Sequence, residues 1–124
     1  MALTDDRVAL EAWYAVASLG DPPARTRLLG EDLLIEGERV RRAADGRALP
    51  VLARFGCLWT SFGHAPPPLF AIPEADEPDR RVVACGWVRM RSSAPRVVEN
   101  FLDMAHFPYV HTGILGAEPT TDVP

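Results

Sequence analysis

Twelve prolines in 124 residues are the feature that most constrains how this chain can fold. Proline fixes its own φ angle and lacks the backbone N–H that a helix interior or a central strand needs. Its prolines recur from Pro22 to Pro124, so the longest proline-free stretches hold only a few short elements. The sequence therefore predicts short strands and short helices and argues against any long helix.

The residue pattern between the prolines predicts a mixed α+β chain of mainly antiparallel strands. Short strands are predicted at Leu33–Ile35, at Val51–Trp59 and, most clearly, at Arg81–Met90, with a hairpin turn at Asp45–Gly46. Residues 4–17 allow two interpretations: a helix capped by Thr4, or a strand that begins at Trp13. After Pro95 the apolar residues recur at helical spacing, which predicts one clear helix over about residues 96–106.

Composition narrows the function classes. The formal net charge is −4 and no block of basic residues is present, which argues against a nucleic-acid partner. No apolar run reaches membrane-spanning length, and the acidic start is unlike a signal peptide, so the expected location is the cytoplasm. In that reducing compartment, Cys57 and Cys85 are expected to be free thiols in the core.

One cluster of residues points to metal chemistry. Spacings of three place Asn100, Asp103 and His106 on one side of the predicted helix, whereas His111 would point about 140° away from His106 on an unbroken helix. Pro108 lies between the histidines, and a break there can bring the two imidazoles together. Two neutral imidazoles can share a divalent metal, and a nearby carboxylate can select the tautomer of one of them. On spacing alone, however, such histidines are more often surface or hydrogen-bonded residues.

The amino-acid sequence of residues 98–111, VENFLDMAHFPYVH, closely resembles the iron-binding segment of Rieske non-haem iron oxygenases. These are the large subunits of aromatic-ring-hydroxylating dioxygenases and of vanillate-type O-demethylases, and their motif here is Asp, two residues, His, four residues, His. The resemblance implies that His106 and His111 ligate Fe(II). It also implies that Asp103 links a ligand histidine to the Rieske centre of a neighbouring subunit, and that Asn100 lies close to the iron.

The resemblance extends towards the N-terminus. Residues 13–17 and 27–32 look like the start of the family's Rieske domain, which favours a strand at Trp13, and residues 55–63 look like the strand that follows that domain. By this resemblance, residues 1–50 are a remnant of the Rieske-domain edge. Residues 51–124 are then the N-terminal part of the catalytic domain, and the two parts are expected to form one compact unit.

Two departures from the family pattern bear on function. A Rieske cluster needs two Cys and two His, yet the chain runs from Asp45–Gly46 straight to Arg54, where the family has its cluster-binding loops. His64 is then expected to be a solvated loop histidine. The family's third iron ligand, an acidic residue, would lie beyond residue 124, and Glu118 and Asp122 are the only acids after the histidines. We therefore expect no [2Fe–2S] cluster and a mononuclear Fe(II) that is weakly bound or absent.

Three interpretations stay open at this point. The first is an oxygenase-related protein for a small aromatic substrate, which takes its electrons from a reductase or full-length oxygenase partner. The second is a non-catalytic truncated relic, or an interaction subunit that pairs with itself or with a full-length homologue. The third is an α+β domain whose histidines serve structure. In the first two cases apolar side chains should be uncovered at Trp59, Phe62, Trp87 and Val88, and homo-oligomerisation is expected.

Overall fold

A computed structural model describes residues 4–83 and 85–114 and divides the chain into two units, Met1–Gly86 and Trp87–Pro124. The first, the sheet unit, contains α1 (Arg7–Glu11), β1 (Tyr14–Ser18), β2 (Ala24–Leu28), β3 (Glu31–Glu36), β4 (Arg39–Arg42), β5 (Val51–Arg54), β6 (Cys57–Thr60) and a 3₁₀ helix at Pro73–Asp76. The second, the helical unit, contains α2 (Ala94–Leu102) and α3 (Phe107–Val110). The predicted α+β class with antiparallel sheets is confirmed.

The strands form two three-stranded antiparallel sheets, in the orders β1-β6-β5 and β2-β3-β4. Three of the connections are two-residue hairpin turns, at Leu29–Gly30, Gly37–Glu38 and Phe55–Gly56. In the first and third turns both central residues have positive φ, 47° and 84° at Leu29–Gly30 and 54° and 73° at Phe55–Gly56. Positive φ at both positions matches the twist of the flanking strands, and it is strained for bulky residues such as Leu29 and Phe55.

The single buried strand predicted over Val51–Trp59 is wrong. The chain reverses at Phe55–Gly56, and the two halves pair with each other as β5 and β6, Arg54 opposite Cys57. The apolar run reads as one strand because phenylalanine is a common strand residue and gives no turn signal. The glycine at position 56 is the local signal for the turn, since the turn needs positive φ at that position.

The buried core lies in the sheet unit. Its members come from both sheets and the loop before β5: Ala17, Leu33, Ile35, Val40, Leu49 and Leu58. Strand β3 alternates between buried and less buried residues, with Leu33 fully buried and Leu34 39% exposed. This period of two marks a strand with one face on a core, and it confirms the strand predicted at Leu33–Ile35.

The ambiguity over residues 4–17 resolves into a short helix followed by a strand. Asp6, not Thr4, is the N-cap of α1, and its carboxylate accepts a hydrogen bond from the Val8 N–H at 2.9 Å. Strand β1 then begins at Tyr14, next to the predicted start at Trp13. The Tyr14 hydroxyl donates to the Ala9 carbonyl at 2.7 Å, and burial, with a smaller contribution from Asp6, raises the pKa of Tyr14.

The strand predicted at Arg81–Met90 is wrong for the residues that the structure describes there, because residues 81–83 and 85–90 have neither strand nor helix assignment. A strand needs a neighbour to pair its backbone N–H and C=O groups, and the described strands pair only within the two sheets above. Alternating apolar residues such as Val83 and Val88 are therefore exposed, 63% and 82% respectively.

The predicted helix over residues 96–106 is only partly correct. Helix α2 ends at Leu102 with Asp103 as its C-cap, so the motif does not lie on one helix. Pro108 lies in the first turn of the separate helix α3. Backbone N–H groups in the first turn have no acceptor within the helix, so the lack of an N–H in proline breaks no hydrogen bond there. In one continuous helix its ring would meet the carbonyl of residue 104. The break therefore falls before His106 and not at Pro108.

Exposure settles several smaller predictions. Cys57 is half-buried and Cys85 is exposed, so Cys85 is not the core thiol that was expected. Trp87 and Val88 are uncovered, as predicted, while Trp59 and Phe62 are half-buried. No helix within residues 4–83 and 85–114 is long and apolar enough to cross a membrane. The division at residue 50 into two domain remnants stays a prediction.

Candidate metal-binding segment

Helix α3 positions both histidines of the motif, because His106 is its N-cap and His111 its C-cap. The helix is a single turn in which the His106 carbonyl accepts from Tyr109 and Val110 and the Phe107 carbonyl accepts from His111. His106 has helical backbone angles, φ −78° and ψ −15°, whereas His111 lies at the end of the turn, where the backbone leaves the helical conformation. At His111 these angles are φ −111° and ψ 35°.

The two imidazole rings are neighbours. Their centroids are 5.4 Å apart and their planes are inclined by 60°. An ion that is bound at about 2.1 Å by one nitrogen of each ring, at an angle between 90° and 109°, would place the centroids about 4.6–5.3 Å apart. The observed separation is thus close to that of two imidazoles that share one metal ion.

Asp103 faces the same histidine. Its Oδ1 accepts a hydrogen bond from the Ala105 N–H at 2.9 Å, which orients the carboxylate, and its Oδ2 lies 3.4 Å from His106 Nδ1. Nδ1 is buried and has no aligned hydrogen-bond partner among the described groups, so the contact with Asp103 is one of proximity. If Nδ1 carries its proton towards Asp103, Nε2 is left as the nitrogen that a metal would use.

The site is asymmetric in its exposure. The His106 side chain is 16% exposed, whereas His111 is exposed. Phe107 explains part of the difference, because its ring packs edge-on against His106 at 4.9 Å and lies 5.9 Å from His111. Sequence reasoning missed Phe107, and its position beside a ligand candidate on a one-turn helix was the available signal.

Thr112 closes the C-terminal side of α3. Its hydroxyl donates to the carbonyls of Pro108 and Tyr109. These carbonyls belong to the last turn, in which helical backbone groups lack partners. The contact therefore holds the end of the turn beside His111, and Thr112 is a second residue that the motif alone did not single out.

The remaining candidates lie elsewhere. Asn100 is exposed on α2, and no described hydrogen bond or ring contact joins it to either histidine. His64, in the sheet unit, is exposed as predicted, and its Nε2 is 3.1 Å from an Nη2 nitrogen of Arg47. Glu118 and Asp122 lie outside the described residues. Within residues 4–83 and 85–114, no group of three or more His, Cys, Asp or Glu side chains is arranged to hold a metal.

Comparison with known proteins adds an independent observation. The family profile of the vanillate O-demethylase oxygenase C-terminal domain matches residues 90–124, the part of the chain that carries Asp103, His106 and His111. The chain is also 43% identical over 127 residues to a protein named as a probable methylxanthine N7-demethylase, NdmC, of Pseudomonas sp. (strain TJI-51). These similarities relate the chain to the Rieske-type oxygenases.

The similarity to demethylases, which are oxidoreductases, agrees with the family that the motif indicated. The alignment with the methylxanthine demethylase takes in 96% of this chain but 45% of the relative. The chain therefore spans less than half the length of the curated relative it matches.

Proposed function

We propose that this chain is the metal-binding part of a Rieske-type non-haem iron oxygenase that demethylates or hydroxylates a small aromatic substrate. The observation that carries the proposal is the pair of imidazoles at 5.4 Å on either side of α3, with Asp103 beside His106 Nδ1. His106 and His111 would hold Fe(II), Asp103 would orient His106, and Asn100 would act near the metal. Fe(II), when bound, would supply the one-electron chemistry that O2 activation needs.

The geometry supports a distinct role for each of the two histidines. His106 is half-buried against Phe107 and lies beside the Asp103 carboxylate, so it would be the pre-oriented ligand. His111 is exposed and would complete the pair from the more accessible side. With two protein ligands the ion would be held weakly, and other positions around it would be left to water or a further acidic ligand.

Electrons would come from a partner, because the chain has no set of two Cys and two His for a Rieske cluster between Asp45 and Arg54. The length of the alignment supports this arrangement. The alignment is 127 positions long and includes 96% of this 124-residue chain. The relative therefore has only a few residues that are inserted relative to this chain. Two cluster-binding loops do not fit there. A relative named as a demethylase thus matches this chain without such an insertion.

Calorimetric titration with Zn(II), and with Fe(II) under anaerobic conditions, tests the metal proposal. We expect both ions to bind, and we expect His106→Ala and His111→Ala each to weaken binding by well over tenfold because each removes a ligand. Asp103→Asn keeps the shape and removes the charge, and should weaken binding about 10- to 100-fold.

The matched control is His64→Ala, which removes the remaining histidine of the chain and lies in the sheet unit. It should bind both ions like the parent. If the parent binds neither ion, or if all three histidine variants bind equally, the histidines serve structure and the metal proposal fails.

A second candidate function is a non-catalytic interaction subunit, and a specific observation favours it. Helix α2 presents apolar side chains to solvent, with Phe101 76% and Leu102 75% exposed, and the described residues hold no three-ligand metal group. Such a chain would pair with itself or with a full-length homologue. Analytical ultracentrifugation over a wide concentration range tests self-pairing: a monomer at every concentration would remove that form of the hypothesis.

A further inference from the structure

The sheet unit has a cavity that the metal proposal does not use. The segment from Phe70 to Val82 runs over the hairpin turn at Phe55–Gly56 and leaves an open cavity of about 280 Å³. Apolar groups form its wall, namely Phe55, Ile72, Ala75 and Val82. Its volume is close to the lower end of the roughly 300–1,000 Å³ that is usual for small-molecule sites.

The aromatic wall of this cavity is held in place from several directions. The Phe55 ring stacks on Phe70 at 5.7 Å with an interplanar angle of 17°, and Trp59 packs edge-on against Phe70, also at 5.7 Å. The Arg54 guanidinium lies 5.1 Å from the centroid of the Phe55 ring. The Phe55 ring, which lines the cavity, is therefore held in a fixed orientation although Phe55 has the strained φ of 54°. Strain of this kind persists where the surroundings determine the conformation.

The overlying segment is anchored as well. Arg54 Nη2 lies 2.6 Å from Asp76 Oδ2, which ties the 3₁₀ helix Pro73–Asp76 to strand β5. The Trp13 indole N–H donates to the Pro67 carbonyl at 2.7 Å, 54 residues away in sequence. The Arg54–Asp76 contact joins the overlying segment to the hairpin before any ligand arrives, which lowers the ordering cost of binding.

The charges at the rim select the kind of ligand. Arg80 is already paired, with Glu77 at 3.0 Å and Asp79 at 3.7 Å. Arg81 is exposed and forms no ion pair within the described part of the chain, so its guanidinium is available to an anion. Glu74 is the one carboxylate among the described lining residues, and it would repel an anion.

From this combination we infer that the cavity binds a small planar aromatic anion of one ring, with the ring against Phe55 and Val82 and the anionic group at Arg81. A guanidinium suits this role because it can donate two parallel hydrogen bonds to a carboxylate. The inference rests on the sheet unit alone and is independent of the histidines.

Titration of the full chain with benzoate, followed by amide chemical shifts, tests the inference. Benzoate should bind saturably with a Kd on the order of 1 mM, and the shifts should centre on residues 55, 72, 75 and 82. Benzamide, the neutral counterpart of the same shape, should bind at least tenfold more weakly. Arg81→Gln should weaken benzoate binding by about tenfold, and Glu74→Gln should strengthen it severalfold, because one removes an attraction and the other a repulsion.

Two further variants separate this site from general effects. Phe55→Gly removes the ring at a backbone position where glycine is favoured, so the turn should survive while benzoate binding is lost. Arg41→Gln removes an exposed arginine of β4 that does not line the cavity, and it should leave benzoate binding unchanged. The inference is overturned if benzoate does not saturate, if benzamide binds equally well, or if Arg41→Gln weakens benzoate as much as Arg81→Gln does.

Discussion

The sheet unit and the helical unit use similar apolar content in opposite ways. Every residue of the buried hydrophobic core belongs to the sheet unit, where Leu33 and Leu58 are at most 1% exposed. In the described part of the helical unit, Pro108 is the one buried residue. Helix α2 nevertheless has a strongly amphipathic sequence, and three of its apolar residues, Val98, Phe101 and Leu102, are between 55% and 76% exposed, while Val97 is half-buried.

The difference shows that an amphipathic pattern identifies a face that is suited to burial, but does not show that another segment covers that face. In the sheet unit, β2 and β4 pair with the backbone of strand β3, and the core covers its apolar face. Helix α2 has no comparable partner within the described part of the helical unit. Burial contributes roughly 25 cal/mol per Å² of apolar surface, so most of the stability of the chain should reside in the sheet unit.

The largest expected effect is the removal of a core side chain. Leu33→Ala should lower the free energy of unfolding by about 2–5 kcal/mol, because it leaves a cavity in the sheet unit. Leu34→Ala is the matched control on the adjacent, outward position and should cost less than about 1 kcal/mol. Urea unfolding followed by tryptophan fluorescence measures both, and equal losses would contradict a core confined to one face of β3.

A smaller effect of the opposite sign is expected at the β2–β3 turn. Leu29 has a φ of 47°, where a left-handed conformation costs a β-carbon-bearing residue roughly 1–2 kcal/mol. Leu29→Gly should therefore stabilise the sheet unit, and the greater backbone entropy of glycine in the unfolded chain reduces the net gain to at most about 1 kcal/mol.

Gly30→Ala, at the next position with φ 84°, should destabilise instead, since it introduces the same strain that Leu29→Gly relieves. The two variants are compared by their urea midpoints. A lower midpoint for Leu29→Gly than for the parent would show that the leucine side chain contributes more than its backbone strain costs.

The smallest expected effect is in the helical unit. Phe101→Ala removes a large apolar side chain that is 76% exposed, so in the isolated chain it should change stability by no more than about 0.5 kcal/mol. The same measurement on Leu33→Ala provides the scale. A loss of 2 kcal/mol for Phe101→Ala would mean that α2 is covered in solution, by a second copy or by another part of the chain, and would sharpen the search for that partner.

The amino-acid sequence by itself was sufficient for the fold class, the β3 strand and the metal-site hypothesis. Alternation at Leu33–Ile35 identifies a half-buried strand because the period of two is a local property. The spacing of Asp103, His106 and His111 and the amino-acid sequence around them indicated the oxygenase family, in agreement with the comparisons. These features depend on neighbours within a few residues, and such neighbours are visible in the sequence.

Other features depended on partners that are distant or missing. Arg81–Met90 reads as a strand, but a strand forms only where another segment accepts its hydrogen bonds, and none does so among the described residues. The run at Val51–Trp59 reads as one element, and the pairing of its own halves turns it into a hairpin. The two imidazoles are neighbours because helix α2 ends at Leu102 and the separate helix α3 begins at Phe107. Residue periodicity encodes what each segment can bury or bond, whereas the position of a break and the presence of a partner depend on contacts that form only in three dimensions.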